Sequence, residues 1–243
     1  MARIFITGSS DGLGQMAAKE LIQEGHSVVL HARNEARAKD AIAQNPSAET
    51  VLIGNLSNES EVRLLAHETN KLGTFDAVIH NAGVYQANSD LIVKVNLLAP
   101  YILTCLMNPP KRLIYLSSQM QAGGHTKLNE LASYSPSINY SDSKLHILMF
   151  ALAIARLWPE VQSNAVDPGW VPTKMGGANA PGDLIKGFKT QVWLAVDSEI
   201  NYSGKYFFHK ETHPYNILAD TIEDQDQLLK ICEQLTGIPF PKR

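Results

Sequence analysis

Charge of either sign is sparse in this chain of 243 residues: charged side chains make up 19%, and the formal net charge is −3. With a pI of about 6.2 there is no basic excess of the kind that binds a nucleic-acid backbone, so nucleic acid is excluded as an expected partner. Cysteine is scarce as well. Cys105 and Cys232 are the two present. Both stand in apolar helical patterns, which points to buried free thiols rather than a disulfide. The histidines, His125 and His146 among them, lack clustered ligand spacing, and no metal is expected. Long hydrophobic runs are missing: Leu145 to Ala155 contains His146 and is too short to span a bilayer. The chain enters a strand pattern at Arg3-Ile4-Phe5-Ile6, which leaves no room for a signal peptide. A cytoplasmic protein without a membrane anchor is the expectation. No repeat, low-complexity tract or linker interrupts the pattern, and residues 1–243 read as one domain.

What the chain has in quantity is apolar residues, 44% of the total, ordered as alternating strand and helix patterns. Strands are expected at Arg3–Thr7, Ser27–His31, Thr50–Gly54, Phe75–His80, Arg112–Ser117, Val161–Val166 and Lys205–Phe208. Helices are expected at Gly12–Gln23, Asn34–Ala43, Glu59–Leu72, Asp90–Met107, Tyr140–Trp158, Asp183–Ala195 and Glu223–Leu235. This alternation predicts an α/β fold: a doubly wound, seven-stranded parallel sheet with helices on both faces. Two irregular stretches, Gln119–Asn139 and Pro168–Pro181, are long enough to be pocket walls.

Chemistry concentrates at the strand ends. After the first strand comes Thr7-Gly8-Ser9-Ser10-Asp11-Gly12-Leu13-Gly14, opening a helix. Glycines in such a turn let backbone approach a pyrophosphate, and the helix N-terminus faces its charge. The second strand ends His31-Ala32-Arg33-Asn34, with no carboxylate to bond the ribose of NAD. Arg33 is suited instead to a 2′-phosphate, which favours NADP(H). Tyr140 and Lys144 stand four apart and share a helix face. A neighbouring ammonium is expected to lower the phenol pKa of Tyr140.

The turn resembles that of the short-chain dehydrogenase/reductase family, and the family's later motifs follow in order. They are His80-Asn81-Ala82-Gly83, Asn96, Ser117-Ser118, Tyr140-Ser141-Asp142-Ser143-Lys144 and Asp167-Pro168-Gly169. The insertion before Tyr140 and the closing Leu235-Thr236-Gly237 resemble the retinol-dehydrogenase-like branch. The resemblance implies a Rossmann-type fold and nicotinamide chemistry. It implies Tyr140 as acid/base, Lys144 as its partner and ribose ligand, Ser118 as the hydroxyl holding the substrate oxygen, and Asn96 in a proton relay. Ser117 is the alternative to Ser118, because Tyr140 follows at a longer interval than the family's shorter members show. The cofactor would lie against Gly8, Ser10, Asp11, Gly12, Leu13 and Gly14, then Arg33, Asn34, Asn55 and Leu56. Asn81, Ala82 and Gly83, Tyr140 and Lys144, and Pro168, Gly169, Val171 and Thr173 would complete its contacts. Asn55 departs from the family's usual acid at that place.

Pocket walls drawn from 119–139 and 168–187 carry few charges. An apolar ketone, aldehyde or alcohol is the expected substrate, handled by an NADP(H)-dependent reductase. The competing reading is a non-enzymatic NADP(H)-sensing protein on the same fold. Because 90–107 and 140–158 are apolar on more than one face, a homodimer or homotetramer is expected.

Overall fold

The computed structural model describes residues 1–199 and 201–242. The first half alternates strictly: β1 (Arg3–Ile6), α1 (Gly12–Gln23), β2 (Ser27–Ala32), α2 (Glu35–Gln44), β3 (Thr50–Ile53), α3 (Glu59–Lys71) and β4 (Ala77–His80). The long apolar segment that follows is α4 (Ser89–Val93), a wider π turn (Lys94–Leu98) and α5 (Ala99–Leu106). After β5 (Arg112–Leu116) come a 3₁₀ turn (Gln119–Gly123) and the short α6 (Leu128–Ala132). Then follow α7 (Tyr140–Leu157), β6 (Gln162–Asp167), α8 (Leu184–Val196) and β7 (Lys205–Phe208). The two-residue β8 (Glu211–Thr212), a 3₁₀ turn (Ile217–Asp220) and α9 (Ile222–Thr236) close the order.

Strand side chains alternate between two cores, as the pleat requires. Phe5, Val29 and Val78 enter the larger core with α3, α5 and α7, whereas Ile4, Ile6, Val28 and Leu30 enter the smaller one with α1 and α8. The strand order is β3-β2-β1-β4-β5-β6-β7-β8. The chain reverses direction across the sheet between β1 and β4, where α/β folds bind ligands beyond the strand C-termini.

One expectation needs correcting. The sheet has eight strands among the described residues, not seven, because β8 pairs antiparallel with β7. A strand of two residues has too little alternation to be recognised by pattern. The insertion also carries order that its irregular sequence hides. Asn139 and Asp142 form a capping box at the start of α7. Asp142, fully buried, also accepts from His125 N–H at 2.9 Å and pairs with Lys127 at 2.8 Å. The insertion is thereby fastened to the helix that carries Tyr140.

The outer faces that suggested a partner subunit are covered by the chain itself. From Asp142 to Ile154 every residue of α7 is buried. α9 packs across it, with Leu228 and Cys232 fully buried. The tail beyond α9 locks on by hydrogen bonds from Tyr101 Oη to Ile238 O (2.8 Å) and from Trp158 Nε1 to Pro241 O (3.0 Å). By length and composition the Ser89–Leu106 helix could cross a membrane, but 72% of it is buried in the fold.

Candidate active site

The glycine turn is held from three sides. Gly8 N–H donates to His31 Nδ1 at 2.9 Å, and His31 Nε2 meets Gly54 O at 2.9 Å. His31 is thus neutral and shared between the turn and the loop that begins at Gly54. Burial pushes its pKa down to about 4, against the Gly54 hydrogen bond. Asn81 Nδ2 donates to Thr7 O (2.9 Å) and Gly8 O (3.2 Å), and Ala82 N–H donates to Thr7 Oγ1 (3.1 Å). Asn81 and Ala82 therefore brace the turn. Gly8 adopts φ +65°, and a Cβ at Gly14 would run into the Asn81 amide and lie 2.7 Å from Gly8 O. Only glycine fits such an approach. This cradle suits a pyrophosphate, and the residues present fit a dinucleotide cofactor.

Charge at this turn differs from the expectation. Asp11 caps α1 through Gly12 N–H (2.9 Å), and it is paired with both Arg37 (3.1 Å) and Lys174. The Lys174 bond, first of these causes, holds its carboxyl below the usual range. Arg37 also donates to Ser10 O at 3.0 Å. Arg37 and Lys174 are residues that sequence reasoning missed. The signal for Arg37 was its place one helical turn beyond Arg33. Arg33 itself is exposed at the end of β2 and makes no ion pair with described residues. Asn34 is spent on capping α2, accepting from Arg37 N–H at 3.0 Å. Asn55 Oδ1 is occupied by Ser57 N–H (3.1 Å), and Leu56 is buried. Leu13 is half-buried on α1 beside the turn, and Thr173 comes close to Gly12 from the far side.

Beyond β4 and β5 the second group converges. Asn96, buried in the π turn, accepts from Val84 N–H (2.8 Å) and donates to Val84 O (3.0 Å) and Ser143 Oγ (3.0 Å). It fixes the loop after β4 to α7. A Cβ on Gly83 would lie 3.5 Å from Lys144 Nζ. Ser117 and Ser118 face different neighbours. Ser117 Oγ is buried and donates to Lys144 O at 2.8 Å, whereas the Ser118 hydroxyl sits beside the Tyr140 phenol and draws its pKa down. Lys144 Nζ lies 5.4 Å from the Tyr140 ring centroid and donates to Leu116 O at 2.7 Å.

The expected lowering of the Tyr140 pKa is not what this geometry produces. Burial pushes the phenol up to about 12, with Ser118 opposing and the Asp167 charge adding. Burial also pushes Lys144 down to about 8. The ammonium is committed to the Leu116 carbonyl, and loss of water outweighs its pull on the phenol. At neutral pH Tyr140 is therefore held protonated, the form that donates. Pro168 and Gly169 close the far side, with Val171 buried behind them and Thr173 N–H donating to Val171 O at 2.8 Å. Tyr85 stands edge-on to Tyr140, ring centroids 4.8 Å apart. Tyr85, Met120, Trp170 and Met175 are large apolar side chains left exposed near these segments.

A doubly wound sheet with this glycine turn and a Ser–Tyr–Lys cluster defines a nicotinamide-type oxidoreductase fold. The family model for short chain dehydrogenase matches residues 2–183, and the chain belongs to the short-chain dehydrogenase/reductase family. It is 45% identical to an uncharacterized oxidoreductase of Emericella nidulans, over 99% of each chain. It is 42% identical to a short-chain dehydrogenase of Gibberella zeae, again over 99% of each. Identity to retinol dehydrogenase 14 of Homo sapiens is 27%, covering 84% of this chain and 77% of that one. A crystal structure of an uncharacterized protein from Mycobacterium paratuberculosis superposes with a TM-score of 0.81 at 24% identity, covering 99% and 95%. A metagenomic blue fluorescent protein in complex with NADPH superposes at 0.69 with 20% identity, covering 85% and 95%.

Proposed function

We propose that this chain is an NADP(H)-dependent reductase of an apolar ketone or aldehyde, with Tyr140 as the proton donor. The observation that carries the reading is the meeting of Ser118, from the end of β5, with Tyr140 and Lys144 of α7. When bound, the nicotinamide supplies the hydride. Ser118 orients the carbonyl oxygen, and Tyr140 delivers its proton to that oxygen as negative charge develops there. Lys144, anchored on Leu116, keeps positive charge beside the phenol and stands ready for the ribose. Asn96 holds the Val84 backbone and Ser143, and so keeps the loop and helix that frame Lys144 in place.

For the cofactor's phosphate end, Arg33 and Arg37 supply two guanidinium groups where an NAD-specific site would place an acid. Exposed Tyr85, Met120, Trp170 and Met175 supply apolar walls. A relative named for retinol, an apolar alcohol, agrees with such walls. The buried thiols of Cys105 and Cys232 suit a reducing, cytoplasmic setting. The working unit is one chain, because α9 and the tail already cover the faces a partner would use. A sedimentation mass of 26.7 kDa is expected, and a dimer mass would sink that part of the reading.

Tyr140→Phe tests the core of the proposal. It removes the proton donor alone, so turnover of a ketone with NADPH should fall by roughly 10²–10⁴-fold. NADPH affinity, followed by cofactor fluorescence, should change little. Unchanged turnover would refute Tyr140 as the acid.

A further inference from the structure

Asp167 ends β6 directly before Pro168-Gly169 and is only 3% exposed. Its Oδ1 accepts from Gly169 N–H at 2.8 Å. The N–H of Gln119, the residue after Ser118, lies near enough to this carboxylate to draw its pKa down. From β7, the Tyr206 hydroxyl faces this carboxylate and the Gln121 side chain. A buried carboxylate is costly unless paired. No Lys or Arg makes an ion pair with Asp167 among the described residues; N–H groups of two loops face it instead.

We propose that Asp167 is a positioning residue of the reaction centre, its buried carboxylate joining the Ser118 loop to the Pro168-Gly169 loop and setting the charge that Tyr140 and Lys144 face. The inference rests on the reductase reading above and deepens it. The groups around the centre come from every neighbouring element. Tyr140 and Lys144 come from α7, Ser118 from the loop after β5, and Tyr85 from the loop after β4. Tyr206 comes from β7, and His209 and His213 from the β7–β8 turn and its exit. Of these, Asp167 is the one carboxylic acid; burial pushes its pKa up and the Gly169 and Gln119 N–H groups oppose that by favouring the carboxylate. That charge works on both partners in the direction reduction needs: it raises the pKa of the Tyr140 phenol and that of the Lys144 ammonium. The phenol is thereby held further from ionisation, and the Lys144 ammonium is favoured against the burial that works on it. Between the Gly169 N–H it bonds and the Gln119 N–H it attracts, the carboxylate relates the serine that holds the substrate oxygen to the loop that lines the nicotinamide.

Asp167→Asn removes the charge and keeps the size. The pH profile of kcat/KM for reduction loses activity as the phenol ionises. In Asp167→Asn its apparent pKa should move down by about one pH unit, and the plateau should fall roughly tenfold as Ser118 loses its anchor. Tyr206→Phe keeps the charge and should leave the profile in place. The second readout needs no substrate: tyrosinate absorbance of the full chain, with Tyr140→Phe as the background that isolates the Tyr140 signal. Its midpoint should be lower in Asp167→Asn. A lowered midpoint without turnover on any carbonyl would support Asp167 and sink the reductase reading. An unmoved midpoint and profile in an active enzyme would overturn Asp167 and leave the reductase reading standing. If the asparagine variant does not fold, Asp167→Ser is read in the same way. A Tyr206→Phe shift equal to that of Asp167→Asn would also overturn the proposal, since the effect would then not follow the charge.

Discussion

The two halves of the site are built by different physics. The glycine-turn half is made of backbone held by neutral side chains: His31, Asn81 and Thr7 each take hydrogen bonds from or to the turn. Its charges sit at the rim, where Asp11 is shared by the half-buried Arg37 and the exposed Lys174. The reaction-centre half is the reverse. There the ionisable groups, Tyr140, Lys144 and Asp167, are withdrawn from water, and each departs from its ordinary pKa. Charge at the rim is screened and contributes binding selectivity in small steps. Charge in the interior is unscreened and sets protonation, where small displacements have large consequences.

Four substitutions probe that contrast alongside Tyr140→Phe, which should cut turnover and spare binding. The largest further effect is expected from Gly14→Ala. Its methyl collides with Asn81 and Gly8, forcing the turn open. NADPH affinity should drop on the order of 100-fold, and stability by roughly 1–3 kcal/mol. Cofactor titration and thermal unfolding would measure both. Normal affinity would show that the turn is not the cradle inferred here.

A second test uses acid. His31 is buried neutral, its pKa depressed from 6.5 to about 4. Its contribution to stability is present above pH 6.5 and is lost as pH falls through that window, because the unfolded chain takes up the proton first. The full loss by pH 4 is roughly 3 kcal/mol. His80 and His146 are depressed by burial as well, so His31→Gln should flatten the acid slope of urea unfolding without abolishing it. An unchanged slope would mean that His31 is not the buried neutral brace.

The smallest effect belongs to the rim. Arg33→Gln and Arg37→Gln should each weaken NADPH binding about tenfold and leave NADH binding nearly unchanged. The NADPH loss should shrink as salt rises. Equal loss for both cofactors would remove these arginines as readers of the 2′-phosphate.

Much of the site was legible in sequence because its members are local signals. The glycine turn is eight contiguous residues, and Tyr140 with Lys144 is one helical turn. Arg33 follows directly from the end of β2. What was illegible required distance. The resemblance favoured Ser118 over Ser117, and β5 supplies the physical reason by turning Ser117 toward the α7 backbone and Ser118 toward Tyr140. Lys174 reaches Asp11 from 163 positions away. Asp167 was read as the start of a proline–glycine motif, and its role as a bridge appears only once two loops meet. The direction of the Tyr140 pKa was misread for a related reason: spacing places a lysine near a phenol but says nothing about how much water either has lost.

The sequence by itself determined the α/β alternation, the glycine cradle and the residue types at the reaction centre, since these follow from periodicity, backbone freedom and proton chemistry. Tertiary structure alone decided that β8 extends the sheet, that α9 and the tail cover α7, and that burial pushes the Tyr140 phenol up rather than down. Each depends on burial, and burial is a property of what packs against a residue, not of its neighbours in the chain.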